Sequence, residues 1–344
     1  MAGPNQRRVR IGVVGLGRLW EARHKPALAK MKDRFQVVAV YDQVARRAEI
    51  EAGQLGCRAA EGLVELIDRP DVDAVYLLTP QWFGLHPLEL ACDLGKPVYC
   101  ALPLAGQDED LARVDALVRS SGVLFMPEFA RRSYPTTLRL KELLETRLGP
   151  PRMVVGHGRL AGFDRYGQPG PSTQIAPASL LVDPGSYLID WCRHVFEAEP
   201  TAVQGWTGSI LPGVDGPGPD YLTYLLEFGA AGSAQLSTGR YHRAAWGEAS
   251  RFLPQPGLQV FAERGVAWLE MPDRIHWTDA EGVHEERLTL EPTVGELLNE
   301  QFHRLVRGDR PMTPNWDDAL AVARLIETVK RSAREGRRIE ATPA

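Results

Sequence analysis

The 344-residue chain carries 40 basic against 44 acidic residues, a net charge of −4, and an apolar fraction of 44%. That balance argues against nucleic acid or an anionic membrane as the main partner, and the length provides for one large or two ordinary domains with a sizeable core. No apolar run reaches membrane-spanning length, and Met1 to Arg8 shows no leader-like apolar stretch. Cys57, Cys92, Cys100 and Cys192 are scattered without a CxxC spacing, so a cytoplasmic setting with buried thiols is expected.

The first 125 or so residues alternate strand and helix patterns, which predicts a parallel sheet with crossover helices. Val9–Val14 reads as a buried strand, and Gly15-Leu16-Gly17-Arg18-Leu19-Trp20 follows it directly. Val37–Tyr41 is a second strand and ends in Asp42; a helix over Gln43–Gln54 and a short strand near Cys57–Ala60 come next. Asp71 to Leu78 is a further strand, stopped at Thr79-Pro80. A helix from Leu85 to Leu94 ends at Gly95, a strand covers Pro97–Cys100, a helix covers Asp108–Ser121, and Val123–Met126 is the last strand of the series.

The pattern changes after Arg131. A helix over Thr136–Arg147 stops at Gly149-Pro150-Pro151. Alternating segments then predict a mostly antiparallel sheet: Arg152–Arg159, Ala202–Leu211, Leu222–Phe228, Ser233–Thr238, Leu258–Ala262, Val266–Glu270 and His284–Leu290. Two helices, Thr293–Arg307 and Trp316–Glu335, close the chain. The expected fold class is an α/β Rossmann nucleotide-binding domain, residues 1–128, followed by an α+β domain with an open, mostly antiparallel sheet, residues 129–344. The C-terminal helices are free to pack back on the first domain.

The glycine loop carries the clearest chemistry. Gly15 makes a tight turn, and Gly17 lets the backbone of Gly17, Arg18 and Leu19 approach a pyrophosphate at a helix N-terminus. Trp20 stands where the fingerprint has its third glycine. Asp42 lies near the ~20-residue spacing at which an acid reaches a ribose hydroxyl, which favours NAD; its other reading is a cap for the next helix. Arg46 and Arg47, a turn further on, leave NADP open. Thr79, Pro80, Gln81 and Trp82 fall at the carboxyl end of a central strand, where the ligand crevice of such a sheet lies.

Hydride transfer from an alcohol also needs a proton acceptor. Asp183 and Tyr187 sit at i, i+4 spacing, on one helix face. The plain alternative makes Asp183-Pro184 an N-cap with proline at N1, and Tyr187 a core aromatic. Glu128, Arg131 and Arg132 follow the last parallel strand, and one of them is a candidate pocket residue. His157 is a candidate substrate contact, while His194 suits a late helix position. No His, Cys, Asp or Glu group has metal-ligand spacing in the sequence.

Taken in order along nearly the whole chain, these features resemble the glucose–fructose oxidoreductase / inositol dehydrogenase (Gfo/Idh/MocA) family. The likeness rests on Gly15-Leu16-Gly17, His24-Lys25-Pro26-Ala27-Leu28, Asp71-Val72-Asp73-Ala74-Val75, Thr79-Pro80, Leu85-His86, Gly95-Lys96-Pro97-Val98, Asp183 to Asp190, and Ser332 to Gly336. The resemblance implies NAD(P)-dependent hydride transfer on a sugar-like or cyclic polyol, and a homodimer or homotetramer formed through the open sheet face. It sets His86 by the cofactor or pocket, and turns the Asp183–Tyr187 face into the substrate pocket. Where the family carries Glu-Lys-Pro, with its lysine near the nicotinamide, this chain reads Ala101-Leu102-Pro103. Leucine transfers no proton. Two functions follow: a dehydrogenase with Tyr187 as acid/base and Asp183 as its orienter or a substrate ligand, or a nucleotide- or sugar-binding homologue that has lost the reaction.

Overall fold

The computed structural model describes residues 8–78, 84–101, 104, 108–161, 177–208, 221–242, 257–309 and 314–341. The chain divides into two compact units: residues 1–130 with 291–320, and residues 131–290 with 321–344.

The first unit is built on six parallel strands in the order β3-β2-β1-β4-β5-β6. In chain order these are β1 (Val9–Val14), β2 (Phe35–Tyr41), β3 (Arg58–Ala59), β4 (Ala74–Leu77), β5 (Val98–Cys100) and β6 (Phe125–Pro127). The strand order reverses beside β1, which puts the ligand crevice of a doubly wound sheet at the carboxyl ends of β1 and β4. The apolar runs of β1 and β4 are buried on both faces, as a covered parallel sheet requires. Helices α1 (Lys25–Lys30), α2 (Ala45–Leu55), α3 (Leu63–Asp68), α4 (His86–Asp93) and α5 (Asp108–Ser121) form the crossovers. Gly12 on β1 has no room for a side chain, since a Cβ there would lie 2.5 Å from Leu66 of α3.

Helical winding starts at residue 18 and passes through a π turn at Trp20–His24 before α1. Trp20 is fully buried, so the indole in the place of the third glycine turns into the core instead of lying over the loop. The wider π ring accompanies this bulky side chain. A later helix of the same unit meets that turn. Gly295 lets it approach so closely that a Cβ would stand 2.6 Å from the Arg23 carbonyl oxygen.

The second unit opens with a 3-10 turn at Ala130–Ser133 and α6 (Pro135–Leu143), and then carries a nine-stranded sheet. Its strands are β7 (Pro151–Ala161), β8 (Ala202–Gly208), β9 (Tyr221–Glu227), β10 (Ser233–His242), β11 (Leu258–Ala262), β12 (Gly265–Glu270), β13 (Arg274–Asp279), β14 (Gly282–Arg287) and β15 (Ile339–Glu340). They pair antiparallel except for β7 with β10. One face is packed: α7 (Pro177–Phe196) lies on it, with Leu188 near Gly156 of β7 and the Tyr224 hydroxyl donating to the Gly185 carbonyl at 3.3 Å. The opposite face presents Val155, Leu225, Phe261, Val266, Trp268 and the 59%-exposed Trp206. Helix α8 (Val294–Val306), which belongs to the first unit, starts at a Thr293 capping box. Helix α9 (Trp316–Glu335) ends beside β8, where Ser332 accepts from the Gly205 amide at 2.9 Å.

Three local expectations are corrected. Helix α7 begins at Pro177, so Asp183 is inside it and does not cap it; Pro184 is an interior proline that removes one backbone donor. The strand Arg274–Asp279 was not anticipated, and the last hairpin strand runs Gly282–Arg287 rather than to Leu290. Both shifts arise because Arg, His, Glu and Asp alternate on the outward face, where their charge masks the strand period.

Candidate functional site

The glycine loop has the geometry of a dinucleotide cradle. Gly15 takes a left-handed φ of 94°, a conformation closed to most side chains, and its amide donates to the Tyr41 carbonyl at 2.8 Å. Asp42 is buried, and its carboxylate accepts from the Leu16 amide and from the Val44 amide, each at 2.9 Å. It thereby ties the end of β2 to the loop after β1. Arg47 reaches the same carboxylate at 3.3 Å, whereas Arg46 pairs outward with Glu49. Arg18 is exposed at the start of the helical winding and Leu19 is half-buried. A strained glycine, a helix N-terminus and an acid on the neighbouring strand suit a pyrophosphate and a ribose. Thr79, Pro80, Gln81, Trp82 and Leu102 lie outside the described residues. His86 opens α4 with its side chain largely exposed, 3.9 Å from Glu89.

Behind the cradle is a buried polar network that sequence reading did not assemble. Glu128, just after β6, is fully buried. Its Oε2 accepts from His24 Nε2 at 2.9 Å and from the Tyr99 hydroxyl at 3.0 Å, and Arg23 pairs with its other oxygen. His24 Nδ1 meets Asn299 Oδ1 at 3.2 Å, and the Tyr76 hydroxyl donates to the same oxygen at 3.2 Å. Burial pushes the Glu128 carboxyl up, but the opposing pull of His24, Arg23 and the Tyr99 hydroxyl outweighs it and holds the group at about 2. The stacked rings of Tyr76 and Tyr99, 4.7 Å apart, wall the network. Tyr76 and Tyr99 looked like ordinary apolar strand residues in the sequence. Only their contacts across β4, β5, π turn and α8 reveal the cluster.

The 3-10 turn separates the two arginines that sequence alone left equivalent. Arg132 clamps Asp190 of α7, with Nε at 3.1 and 3.0 Å from its two oxygens. Asp190 is 1% exposed, so this is a buried fork-to-fork pair. Arg131, one residue earlier, is half-buried; its carbonyl accepts from the Tyr134 amide at 3.4 Å, its side chain has no hydrogen bond or ion pair among the described residues, and Tyr134, Tyr187, Tyr224 and Cys192 are close enough to act on its charge. Burial lowers its pKa, while those neutral neighbours oppose the shift. Tyr187 is half-buried on α7; the side chain of Asp183 lies outside the described residues. His157 is on the sheet face opposite α7, where it bonds Ser237 at 2.6 Å, so the structure does not bring it together with Tyr187. His194 is half-buried late in α7.

The thiols of Cys92, Cys100 and Cys192 are buried, and burial raises Cys100 to about 12. One His/carboxylate group forms at the β13–β14 hairpin, where Asp279, Glu281 and His284 have ligand atoms within 4.8 Å of one another. Arg147 already lies 3.1 Å from Asp279 and 2.8 Å from Glu281, where a cation would sit. No helix of the described residues is long and apolar enough to cross a membrane.

Comparison with known proteins agrees with this architecture. The family model described as "Oxidoreductase family, NAD-binding Rossmann fold" matches residues 9–129, and the Gfo/Idh/MocA C-terminal domain model matches residues 137–267. The chain is 25% identical over 340 residues to D-xylose 1-dehydrogenase (NADP+) 2 of Haloferax volcanii, covering 96% of this chain and 98% of that one. It is 32% identical over 257 residues to a dTDP-3,4-didehydro-2,6-dideoxy-α-D-glucose 3-reductase of Saccharopolyspora spinosa, covering 71% and 74%. A solved levoglucosan dehydrogenase in complex with NADH and levoglucosan superposes with a TM-score of 0.81 at 18% identity, over 97% of this chain and all of that one. With both domain models matched in order, the chain belongs to the Gfo/Idh/MocA oxidoreductase family and carries its NAD-binding Rossmann domain.

Proposed function

We propose that the chain moves hydride between a nicotinamide dinucleotide, NAD in preference to NADP, and a sugar-like or cyclic polyol, with Tyr187 as acid/base. The observation that carries this reading is the joined loop and acid: Gly15 at φ 94° with the Asp42 carboxylate on the Leu16 amide. Gly15, Gly17, Arg18 and Leu19 would hold the pyrophosphate and Asp42 the ribose. A 2′-phosphate would meet the Asp42 charge. The bound cofactor supplies the hydride chemistry.

The protein's share is position and proton traffic. Leu102 stands where the resembling family has lysine, so the carbinol proton needs another acceptor. Tyr187, ionised to the phenolate beforehand, takes it and becomes the neutral phenol; the positive charge of Arg131, close enough to act on Tyr187, favours that ionised form. Asp183, one helical turn before, orients Tyr187 or holds a substrate hydroxyl. Tyr187→Phe is expected to lower kcat by about 10²–10⁴, with NAD+ affinity by calorimetry kept. An unchanged kcat removes Tyr187 from the role.

Leu102 also favours a second reading, a binding protein of the same fold that runs no redox step. It predicts NAD(H) binding with no turnover of any polyol. For assembly, we propose a homodimer or homotetramer through the open sheet face of Val155, Phe261, Trp268 and Trp206, in a cytoplasmic protein. Light scattering that shows a monomer at micromolar concentration would remove the assembly reading.

A further inference from the structure

Asp42 is 7% exposed, and protein donors meet its carboxylate on both oxygens. The Leu16 amide donates to Oδ2 and the Val44 amide to Oδ1, each at 2.9 Å. One guanidinium nitrogen of Arg47, Nη1, lies 3.3 Å from both oxygens. An ionised carboxylate offers about four lone-pair positions, two on each oxygen. Here a backbone amide takes one position on each oxygen, and Arg47 takes the other. No position is left for a ligand hydroxyl.

The donors differ in how firmly they are held. The two amides belong to the loop after β1 and to the residue before α2, and neither withdraws without moving the backbone. Arg47 is held at Asp42 by a side chain that is 52% exposed, through bonds longer than those of the amides. It stands in the first turn of α2, where the unpaired amides of a helix N-terminus disfavour a cation. Among the described residues it has no other ion-pair partner. Its neighbour Arg46 pairs with Glu49 at 3.1 Å and leaves Asp42 alone.

We infer that Arg47 is an internal competitor for the ribose position: it occupies Asp42 in the free protein and leaves when the adenosine ribose of the dinucleotide arrives. This inference rests on the reading of Asp42 as the ribose acid. Departure of Arg47 opens one acceptor position on each oxygen, which matches two adjacent hydroxyls of a ribose. The two amides stay and keep the carboxylate aimed. The arginine is already half in water, so binding has to overcome one partly exposed ion pair and no new desolvation of the guanidinium. Affinity for NAD+ is therefore lower than the cradle would give without Arg47.

The test is calorimetric titration of the full chain with NAD+ and with the 2′-deoxyadenosine analogue of NAD+, for the wild type, Arg47→Ala and Arg46→Ala. Arg47→Ala is expected to bind NAD+ about two- to fivefold more tightly, the range that loss of an exposed ion pair gives. The sign is the opposite of the loss that removing a cation near an anionic pyrophosphate otherwise brings. Arg46→Ala removes the same charge one residue away without freeing Asp42, and should bring no gain. Unchanged or weaker NAD+ binding by Arg47→Ala, or an equal gain from Arg46→Ala, would overturn the inference. The analogue separates that failure from failure of the ribose reading. If the wild type binds the analogue more weakly than NAD+ while Arg47→Ala brings no gain, Asp42 remains the ribose acid and only the competitor is removed. Equal binding of the analogue and NAD+ by the wild type removes the ribose reading, and the inference falls with it.

Discussion

Glu128 and Arg131 stand a few residues apart at the end of one strand, yet the protein treats their charges in opposite ways. The Glu128 carboxylate is enclosed by His24, Arg23 and Tyr99, and Asn299 meets the far nitrogen of His24 and the Tyr76 hydroxyl. The Arg131 side chain is only half-buried and has no hydrogen bond or ion pair among the described residues. A buried charge answered by protein groups is a structural device. A half-buried charge keeps contact with water and needs no such partner set. The difference teaches that the set of partners a charge is given follows how far it is taken out of water.

The largest effect is expected from Glu128→Ala. It leaves Arg23 and His24 facing an empty carboxylate position, and urea denaturation should report a loss of about 3–4 kcal/mol. A loss below about 1 kcal/mol would mean the network is decorative and would break the contrast. The same group sets an acid limit. Its folded value of about 2 lies below the ordinary 4.5, so its contribution is fully present above pH ~4.5 and is lost as pH falls toward 2. That contribution is roughly 3 kcal/mol, and Glu128→Gln should flatten the stability profile over this window.

Arg132→Gln should cost about 2–3 kcal/mol, because the buried Asp190 carboxylate would lose its charged clamp. Arg131→Gln, one residue away, should change stability by less than about 0.5 kcal/mol, because the half-buried guanidinium keeps contact with water. Thermal melts of the pair decide the matter. Two equal losses would show that Arg131 has a structural partner after all.

Much of the fold was legible in the sequence because its signals are local. The strand–Gly15–Leu16–Gly17–strand–Asp42 series is contiguous, and the hydrophobic periods of β1, β4, α5 and α9 are strong. What stayed hidden depends on distant pairs. Nothing near Tyr76 or Tyr99 marks them as hydrogen-bonding walls, since their partners come from residues 128 and 299. Arg131 and Arg132 are identical in type and adjacent, and only the direction each takes on a 3-10 turn separates them. His157 lies on a strand whose alternation fixes its face, but which face α7 covers is a property of the whole sheet. The continuous helix through Pro184 defeats local rules because tertiary packing overrides the proline's preference for a first-turn position.

The close approach permitted by Gly295 has a consequence for biosynthesis. Asn299 and Phe302 complete the core beneath Tyr76 and Tyr99, although 275 residues separate His24 from Asn299. As the chain leaves the ribosome, the first 130 residues have their strands and loop but lack this final helix. Their network stays unfinished until the segment that carries Asn299 and Phe302 has been made. The second unit's strands are thus synthesised between the two parts of the nucleotide-binding unit, which places a long interval of partial exposure on its tyrosine-lined face.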